Sequence, residues 1–578
     1  MADTRTPPPR LWQRYLGIAA PYWHGEDRWR ARAFVALLLA LLLAQTGFAV
    51  LINQETGEFT SALAAGDAAR FWHAIRWCLL WVCGAVPTYA LYYLVRDRLG
   101  NRWRRWLTHR FLDHYFSHRQ FYALNAEAAI DNPDQRIAED IASFTQKSLF
   151  FGLILVGSLI QLAGFSRVLW SISPALVVFL LLYATVGTAV TLGLFGRPLT
   201  ALNFRQLRRE ADLRFALIRV RENAESIALY RGEAQELAQV QQRFAEVYDN
   251  FNRLIRRQFF LNLFQYAYGM LTLLLPSVLI ARQVLSGEME VGRAVQAAGA
   301  FTAVLVAISL VVDNFENLSR FAAGVERLDA FFQRLRAPAR RPGPASAAPS
   351  PEPPASAPGL RLHDLTVQTP APARVLVRHL SLTVAPGEGL LIVGPSGSGK
   401  SALLRTITGL WPAAGGHIQG PVAEACLFLP QQPYMLLGGS LRSQLLYPRP
   451  ERPIGDGRLL AVLEQVHLPE LAAQVGGLDA QRDWAKMLSM GEQQRLAFAR
   501  LLLGAPRFAF LDEATSALDL ANEAWLYRQL LDARITPISI GHHASLLPFH
   551  AWTLELLAEG RWRLMSAQAY CRRAPTAP

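Results

Sequence analysis

Six stretches of about 20 apolar residues restrict this chain more than anything else in it, because each is long enough to cross the hydrocarbon core of a bilayer as a helix. They lie near Ala33–Ile52, Phe71–Val95, Leu149–Trp170, Pro174–Phe195, Leu261–Ile280 and Val291–Val312. Hydrocarbon offers no partner for a free backbone N–H or C=O, so a crossing segment has to be helical. The Leu, Ala and Val density of the first and fourth runs argues against a soluble all-helical domain. The second, fifth and sixth carry scattered polar residues, and their ends are less sharply defined.

The net charge is +13. In a soluble protein such an excess points to nucleic acid, but here its position matters more than its size. The long segment Arg96–Lys147 opens with Arg96, Arg98, Arg102, Arg104, Arg105 and Arg110 against only Asp97 and Asp113. The segment Arg197–Arg257 is also rich in arginine, whereas Asn53–Arg70 carries Glu55, Glu58 and Asp67 against one arginine. Positive residues gather on the cytoplasmic side of spans. Both long segments and both termini are therefore expected in the cytoplasm, and no nucleic-acid partner is implied. The first residues, MADTRTPPPR, have no apolar core and predict no cleaved signal peptide.

Both long segments read as helical extensions of the spans, while Asn53–Arg70 and Ser166–Ser173 read as loops. In Asp131-Asn132-Pro133-Asp134-Gln135, Asn132 is an expected N-cap, Pro133 suits the first turn and Gln135 completes a capping-box pattern. A plain helix start accounts for it; a short helix touching the soluble half is the functional alternative. Asp313, Glu316 and Arg320 lie at helical spacing beyond the sixth span and read as a solvated face, with a role in a cavity as the alternative. The stretch 337–358 is rich in Pro, Ala and Ser and cannot bury a core, so it reads as a semi-extended linker. Cys78, Cys83, Cys426 and Cys571 show no metal-site or disulfide spacing. The expected organisation is an N-terminal segment 1–30, an all-α membrane domain 31–336 with six helices, the linker 337–358, and an α/β P-loop NTPase domain 359–578.

The soluble half carries the chemistry. Gly394-Pro395-Ser396-Gly397-Ser398-Gly399-Lys400-Ser401 follows the apolar run GLLIV and precedes the helical SALLRTITGL. That strand–loop–helix setting is what a phosphate-binding P-loop requires. Its glycines let backbone N–H groups approach phosphates, aided by the helix N-terminus. Lys400 should reach the β- and γ-phosphates, and Ser401 should ligate Mg²⁺. Further on, the apolar run Phe508–Leu511 ends in Asp512-Glu513. Asp512 would hold Mg²⁺ through water, and Glu513 would act on the attacking water as general base.

Between these, Leu488-Ser489-Met490-Gly491-Glu492-Gln493-Gln494-Arg495 precedes the helical LAFARLLL. This segment resembles the signature of ABC ATPases, and three further segments fall in the same family order. Gln431 in LPQQPY matches the Q-loop, Ser516-Ala517-Leu518-Asp519 the D-loop, and His542 in IGHH the switch histidine. The wording LPQQPYM, LDEATSALD and GHHASLLPFH, with DNPDQRI and EADLRFALIRVRENAESIALYRGE in the membrane half, is similar to one branch. That branch holds the subfamily D fatty-acyl transporters and the SbmA/BacA-like permeases with a fused ATPase.

The resemblance implies an exporter-type membrane fold and an ATPase coupled to transport, with ATP and Mg²⁺ as cofactors. It places Ser489, Gly491 and Asp519 at a nucleotide held by an opposite subunit, Gln431 at the metal, and Gln431, Glu513 and His542 in catalysis. One chain has one P-loop and one signature, so a homodimer is expected to complete two composite sites. It would sit in a bacterial inner membrane, with the lipid bilayer and a small-molecule or peptide substrate as partners. Cobalamin-like compounds, peptides, and fatty acids or acyl-CoA are the implied cargo, and import follows from the bacterial members. The alternative is an ATP-gated or proton-coupled permease or channel in which the ATPase is regulatory. A thioesterase lacks support, since no Gly-x-Ser-x-Gly is present. The chain departs from the pattern at His543, where arginine is usual, and at Leu365–Thr369, which offers no ring for adenine stacking.

Overall fold

The computed structural model describes residues 11–126, 133–336, 359–369, 374–420, 425–541 and 543–573. The chain divides into two compact units, Met1–Ala339 and Arg340–Pro578.

In the first unit, six helices among the described residues are long and apolar enough to span a membrane: Arg28–Ala65, Ala68–Phe116, Pro133–Ile172, Pro174–Gly196, Glu233–Leu285 and Val291–Leu310. The second and fifth contain 49 and 53 residues. At 1.5 Å per residue the second is roughly 74 Å long, more than twice the ~30 Å hydrocarbon thickness. The arginine-rich segments are therefore continuations of the spans. Only 11–39% of each span's most apolar stretch is buried within the protomer, so most of that surface is left for lipid or another chain.

The expected loops at 53–70 and 166–173 are almost entirely helix. Helix one runs on to Ala65 and stops because Gly66 adopts a left-handed φ of 69°, its N–H returning to the carbonyls of Ala62 and Leu63. Asp67 then caps helix two, its Oδ1 accepting from the Arg70 N–H at 3.0 Å. Between spans three and four the break is the single residue Ser173, extended at φ −157°, followed by Pro174 at the helix start. Pro133 begins a helical turn as expected, while Asp131 and Asn132 lie outside the described residues. Gln135 Nε2 donates to Glu139 Oε2 at 3.0 Å. The side chains of Asp313 and Glu316 also lie outside the described part.

The N-terminal helix Leu11–His24 buries Ile18, Ala19 and Tyr22. Tyr22 stacks on Trp103 of the second span with ring centroids 5.7 Å apart. Spans four and five are tied by a reciprocal pair. Tyr183 donates to the Tyr268 carbonyl at 2.7 Å, Tyr268 donates to the Tyr183 carbonyl at 2.9 Å, and the rings stack at 4.2 Å. Spans one and six approach through glycines. Ser61 Oγ accepts from the Gly292 N–H at 3.1 Å, and Asn53 Nδ2 donates to the Gln296 carbonyl at 3.1 Å. A Cβ on Gly292 would overlap the Gly57 carbonyl and Ser61 Oγ, the small-residue contact expected where backbones pack in lipid.

The second unit holds nine strands among its described residues. They are β1 Leu360–Gln368, β2 Val375–Val384, β3 Leu390–Val393, β4 Gly415–Gln419, β5 Cys426–Leu429, β6 Phe508–Asp512, β7 Thr536–Ile540, β8 Trp552–Leu556 and β9 Trp562–Ser566. β2-β1-β4 form an antiparallel sheet, and β5-β6-β7-β3-β8-β9 a second sheet, parallel except for β9. Strands β3, β6 and β7 are buried along their whole length, which is why they read as unbroken apolar runs rather than alternating ones. Behind β7, Tyr527 OH donates to Ser539 Oγ at 3.0 Å, and Ser539 Oγ lies 2.9 Å from His550 Nε2. His550 Nδ1 sits 2.8 Å from the Leu546 carbonyl, which only accepts. The ring is thus neutral with its proton on Nδ1, and burial pushes its pKa down to about 4.

Two outcomes follow. Gly292→Ala forces spans one and six apart and should destabilise the membrane unit by about 1–3 kcal/mol, read as a lower melting temperature of the purified chain; an unchanged melt would refute that contact. For His550, the folded pKa lies below the unfolded value of about 6.5, so the unfolded state binds the extra proton between those limits. Its contribution is complete above pH ~6.5 and lost as pH falls toward 4, amounting to about 3 kcal/mol. Urea unfolding from pH 4 to 7 should show that slope, and His550→Gln should flatten it.

Candidate functional site

The order of the six-stranded sheet brings three loops to one edge. β3 runs into the P-loop, β6 ends at Asp512, and β7, adjacent to both, ends at Ile540. In parallel sheets the crevice beyond the carboxyl ends is where ligands are held.

The P-loop backbone needs its glycines. Gly394 has φ 149° and Gly399 φ 100°. A Cβ would meet the Leu556 carbonyl oxygen at 2.6 Å at the first and Leu376 Cβ at 2.8 Å at the second. Gly397 takes φ 77°. Lys400 is buried at the start of the helix Lys400–Ile407, and its Nζ donates to the carbonyls of Gly394 and Pro395 at 2.8 and 3.1 Å. Burial lowers its pKa, opposed by the charges of Glu513 and Asp512. Among the described residues, Ser398 Oγ is buried without a hydrogen-bond partner.

Beside this loop, Ser401 Oγ donates to Asp512 Oδ1 at 2.9 Å. Burial raises the Asp512 pKa, while the Ser401 hydroxyl and Arg405 pull it back. Glu513 follows in a left-handed backbone conformation, φ 49°, rare for a residue with a side chain. Its N–H donates to the Ile540 carbonyl at 3.2 Å, and its Oε2 accepts from Gln431 Nε2 at 2.9 Å. Gly394–Ser401, Gln431, Asp512 and Glu513 are therefore brought together. A glycine cradle, a buried amine, an orphaned hydroxyl and adjacent carboxylates suit a polyphosphate with a hard divalent cation.

Ser489 and Gly491 have different partners. Ser489 caps the helix Met490–Gly504, with Glu492 closing the capping box: Glu492 Oε2 accepts from the Ser489 N–H at 2.8 Å and from Ser489 Oγ at 2.7 Å. Those bonds hold the Glu492 carboxyl below its usual range. A Cβ on Gly491 would press on the Ala517 carbonyl at 3.1 Å. Asp519 caps the helix Leu520–Asp532, accepting from the Asn522 N–H at 2.7 Å and from Asn522 Nδ2 at 2.8 Å. His542 lies outside the described residues. Leu365 and Val367 point into the core of the second unit, and Leu365–Thr369 presents no ring.

Sequence reasoning missed three residues. Gln494, five residues after Ser489, donates to the Gln431 carbonyl at 3.2 Å and to Ser516 Oγ at 3.3 Å, and accepts from the Ala517 N–H at 3.1 Å. From its helix it joins two loops that lie far apart in sequence. Glu523, 2% exposed, accepts from Thr515 Oγ1 and Ser545 Oγ, each at 2.7 Å, and has His543 Nδ1 3.5 Å away. Arg500 is buried and donates to the carbonyls of Tyr434 and Gln444, each at 2.7 Å, fixing the segment after Gln431. Gln494 at least stands inside a motif. Glu523 and Arg500 carry no signal, since a charge on an amphipathic helix ordinarily reads as solvated.

Known families match both halves. The family described as ABC transporter transmembrane region 2 matches residues 20–285, and the ABC transporter family matches residues 377–516. An ABC transporter ATP-binding protein of Synechocystis is 44% identical over 550 residues, 93% of this chain and 82% of that protein. ABC transporter D family member 2, chloroplastic, of Arabidopsis thaliana is 38% identical over 636 residues, 97% of this chain and 89% of the relative. The human lysosomal cobalamin transporter ABCD4 is 32% identical over 502 residues, 80% and 81% of the two chains. Among solved structures, a bacterial Atm1-family ABC exporter with ATP bound shares the fold, with TM-score 0.75, 21% identity, and coverage of 94% of this chain and 97% of that one.

Proposed function

The chain belongs to the ABC transporter family, as an integral membrane half-transporter of the D branch whose ATPase activity is coupled to transport, and from that premise we propose that two copies together move a bulky amphipathic solute across the membrane. A cobalamin-like compound is the first candidate, because the human relative is a lysosomal cobalamin transporter. Peptides and fatty acids or acyl-CoA follow. None of the relatives named above is a channel, so the ATP-gated or proton-coupled permease is not favoured. The arginine-rich extensions support a cytoplasmic ATPase and, in a bacterium, the inner membrane.

The observation that carries the reading is the unbroken array Ser401–Asp512 and Gln431–Glu513 beside the P-loop. In the proposed cycle, Gly394–Gly399 and Lys400 hold the ATP phosphates. Ser401, Asp512 and Gln431 would hold Mg²⁺, whose charge would offset that developing on the phosphoryl oxygens. Glu513 orients and deprotonates the attacking water, already aimed by its left-handed backbone and by Gln431. His542 is the proposed switch at the γ-phosphate. Ser489, Gly491 and Asp519 serve the nucleotide bound by the other copy, which is why a single chain is an incomplete enzyme and a two-fold pair a complete one. Closure of the paired ATPases around nucleotide would drive the membrane units between two accessible states.

The test is ATP turnover of the purified protein in lipid nanodiscs, wild type beside Glu513→Gln, titrated with cobalamin, a proline-rich peptide and a long-chain acyl-CoA. Removing the general base should lower turnover about 100-fold or more, with ATP still bound. Wild-type turnover should rise with cobalamin and the variant should not respond. Unchanged turnover in Glu513→Gln would overturn the role of Glu513. Stimulation by the peptide or the acyl-CoA alone would overturn the cobalamin assignment.

A further inference from the structure

Where spans four and five leave the apolar zone, four arginines converge on one cavity with no counter-charge. The helix Arg197–Glu222 continues span four and packs antiparallel to Glu233–Leu285. The pairing Tyr183–Tyr268, Asn250 to the Leu202 carbonyl, and Arg209 to the Glu246 carbonyl runs in opposite directions along the two helices. Between them lies a cavity of about 430 Å³, lined by Arg205, Arg253, Arg256, Arg257, Leu202 and Phe260. Among the described residues none of these four guanidiniums makes a hydrogen bond or ion pair. Of the acids nearby, Glu210 accepts from Gln206 at 3.0 Å and Glu246 faces Arg243 at 4.0 Å, while Asp249, one turn before Arg253, does not line the cavity.

A topological charge bias explains how many arginines stand near span ends, but not their gathering on one face. Arg253, Arg256 and Arg257 are spaced i, i+3, i+4 and so share one side of their helix, and Arg205 meets them from the other helix. A second basic cavity, lined by Arg96, Arg104 and Lys147, includes Asp97, with which Arg96 pairs at 2.9 Å. The cavity between spans four and five, unlike that one, has no acid in its lining, and like charges held together repel unless an anion joins them. The planar guanidinium fork matches phosphate in two-point contact. The surroundings are apolar as well: Phe204, Ile255, Phe259 and Phe260 are all exposed along the same stretch. Charged heads beside exposed aromatic and aliphatic side chains suit a ligand with a phosphate at one end and acyl chains at the other.

We propose that this cavity binds the phosphate headgroup of an anionic phospholipid drawn from the adjoining leaflet, whichever solute the transporter carries. Basic pockets between helices at this membrane level are suited to such headgroups. The acyl chains would lie along Phe260 and Phe259, leaving the phosphate among Arg205, Arg253, Arg256 and Arg257.

Native mass spectrometry of the intact protein, released from nanodiscs of phosphatidylglycerol and phosphatidylcholine, tests this directly. Wild type should retain phosphatidylglycerol in preference to phosphatidylcholine. The triple variant Arg253→Gln, Arg256→Gln, Arg257→Gln should bind phosphatidylglycerol roughly 100-fold more weakly, each residue contributing about fivefold, with phosphatidylcholine unaffected. The Lys triple at the same positions keeps the charge without the fork and should fall between the two; it also serves as the measurement if the Gln triple does not fold. Equal retention of phosphatidylglycerol by wild type and variant would overturn the site. Displacement of the lipid by millimolar inorganic phosphate would overturn the lipid and leave a free-anion site instead.

Discussion

Hydrocarbon satisfies no backbone hydrogen bond, and the first unit follows from that one condition. Each crossing segment is helical from end to end, and reversals happen in the fewest residues that can make them: Gly66 and Asp67 between spans one and two, Ser173 and Pro174 between three and four. Helices that cannot bend must fit by shape, so spans one and six close on paired glycines. Some polar groups at membrane depth join neighbouring spans. Asn53 reaches the Gln296 carbonyl, and Tyr183 and Tyr268 exchange hydrogen bonds to each other's backbone. Apolar surface remains on the outside of every span, where lipid rather than water is the solvent.

The second unit meets the same requirement differently. Its central strands are covered on both faces, and their hydrogen bonds run to parallel neighbours. Such an arrangement sends these parallel strands out at the same edge. The P-loop and the carboxylates after β6 are more than a hundred residues apart in sequence yet only 2.9 Å apart at Ser401 and Asp512. Polar residues cluster at that edge because it is where the buried sheet first meets water.

Much of this is written plainly in the sequence, for physical reasons that differ by element. Spans are legible because 20 apolar residues have few soluble uses. The P-loop is legible because its glycines have no substitutes: Gly394 and Gly399 occupy φ values that a side chain would strain, at points where a Cβ would strike Leu556 or Leu376. Loop positions are less legible. Asn53–Arg70 carries acids and polar groups, which suggest a turn, yet the helix runs on through Gly57 to Ala65 and ends only where Gly66 takes a left-handed φ. Hardest to read are residues whose meaning depends on partners distant in sequence. Nothing in the row of letters distinguishes Glu523, sealed between Thr515 and Ser545, from an acid facing water.

Those distant partners also determine how the candidate site behaves as a unit. Glu513 holds an unfavourable backbone conformation, which persists only where the surroundings over-determine it. The Ile540 carbonyl fixes its N–H, and Gln431 fixes its carboxylate. Gln494 then holds the Gln431 backbone with one side-chain group while its carbonyl oxygen accepts from Ala517. Gly491, on the same helix, lies so near the Ala517 carbonyl that a Cβ would press on it at 3.1 Å. The helix Met490–Gly504 is therefore hydrogen-bonded to Gln431 and to the 516–517 backbone together, and through Gln431 to the carboxylate of Glu513. The segment that caps itself with Ser489 and Glu492 is in this way hydrogen-bonded, through Gln494 and Gln431, to Glu513 beside the P-loop. Contacts made at Ser489 from outside the chain would have a short, hydrogen-bonded route to the carboxylate beside the phosphate cradle.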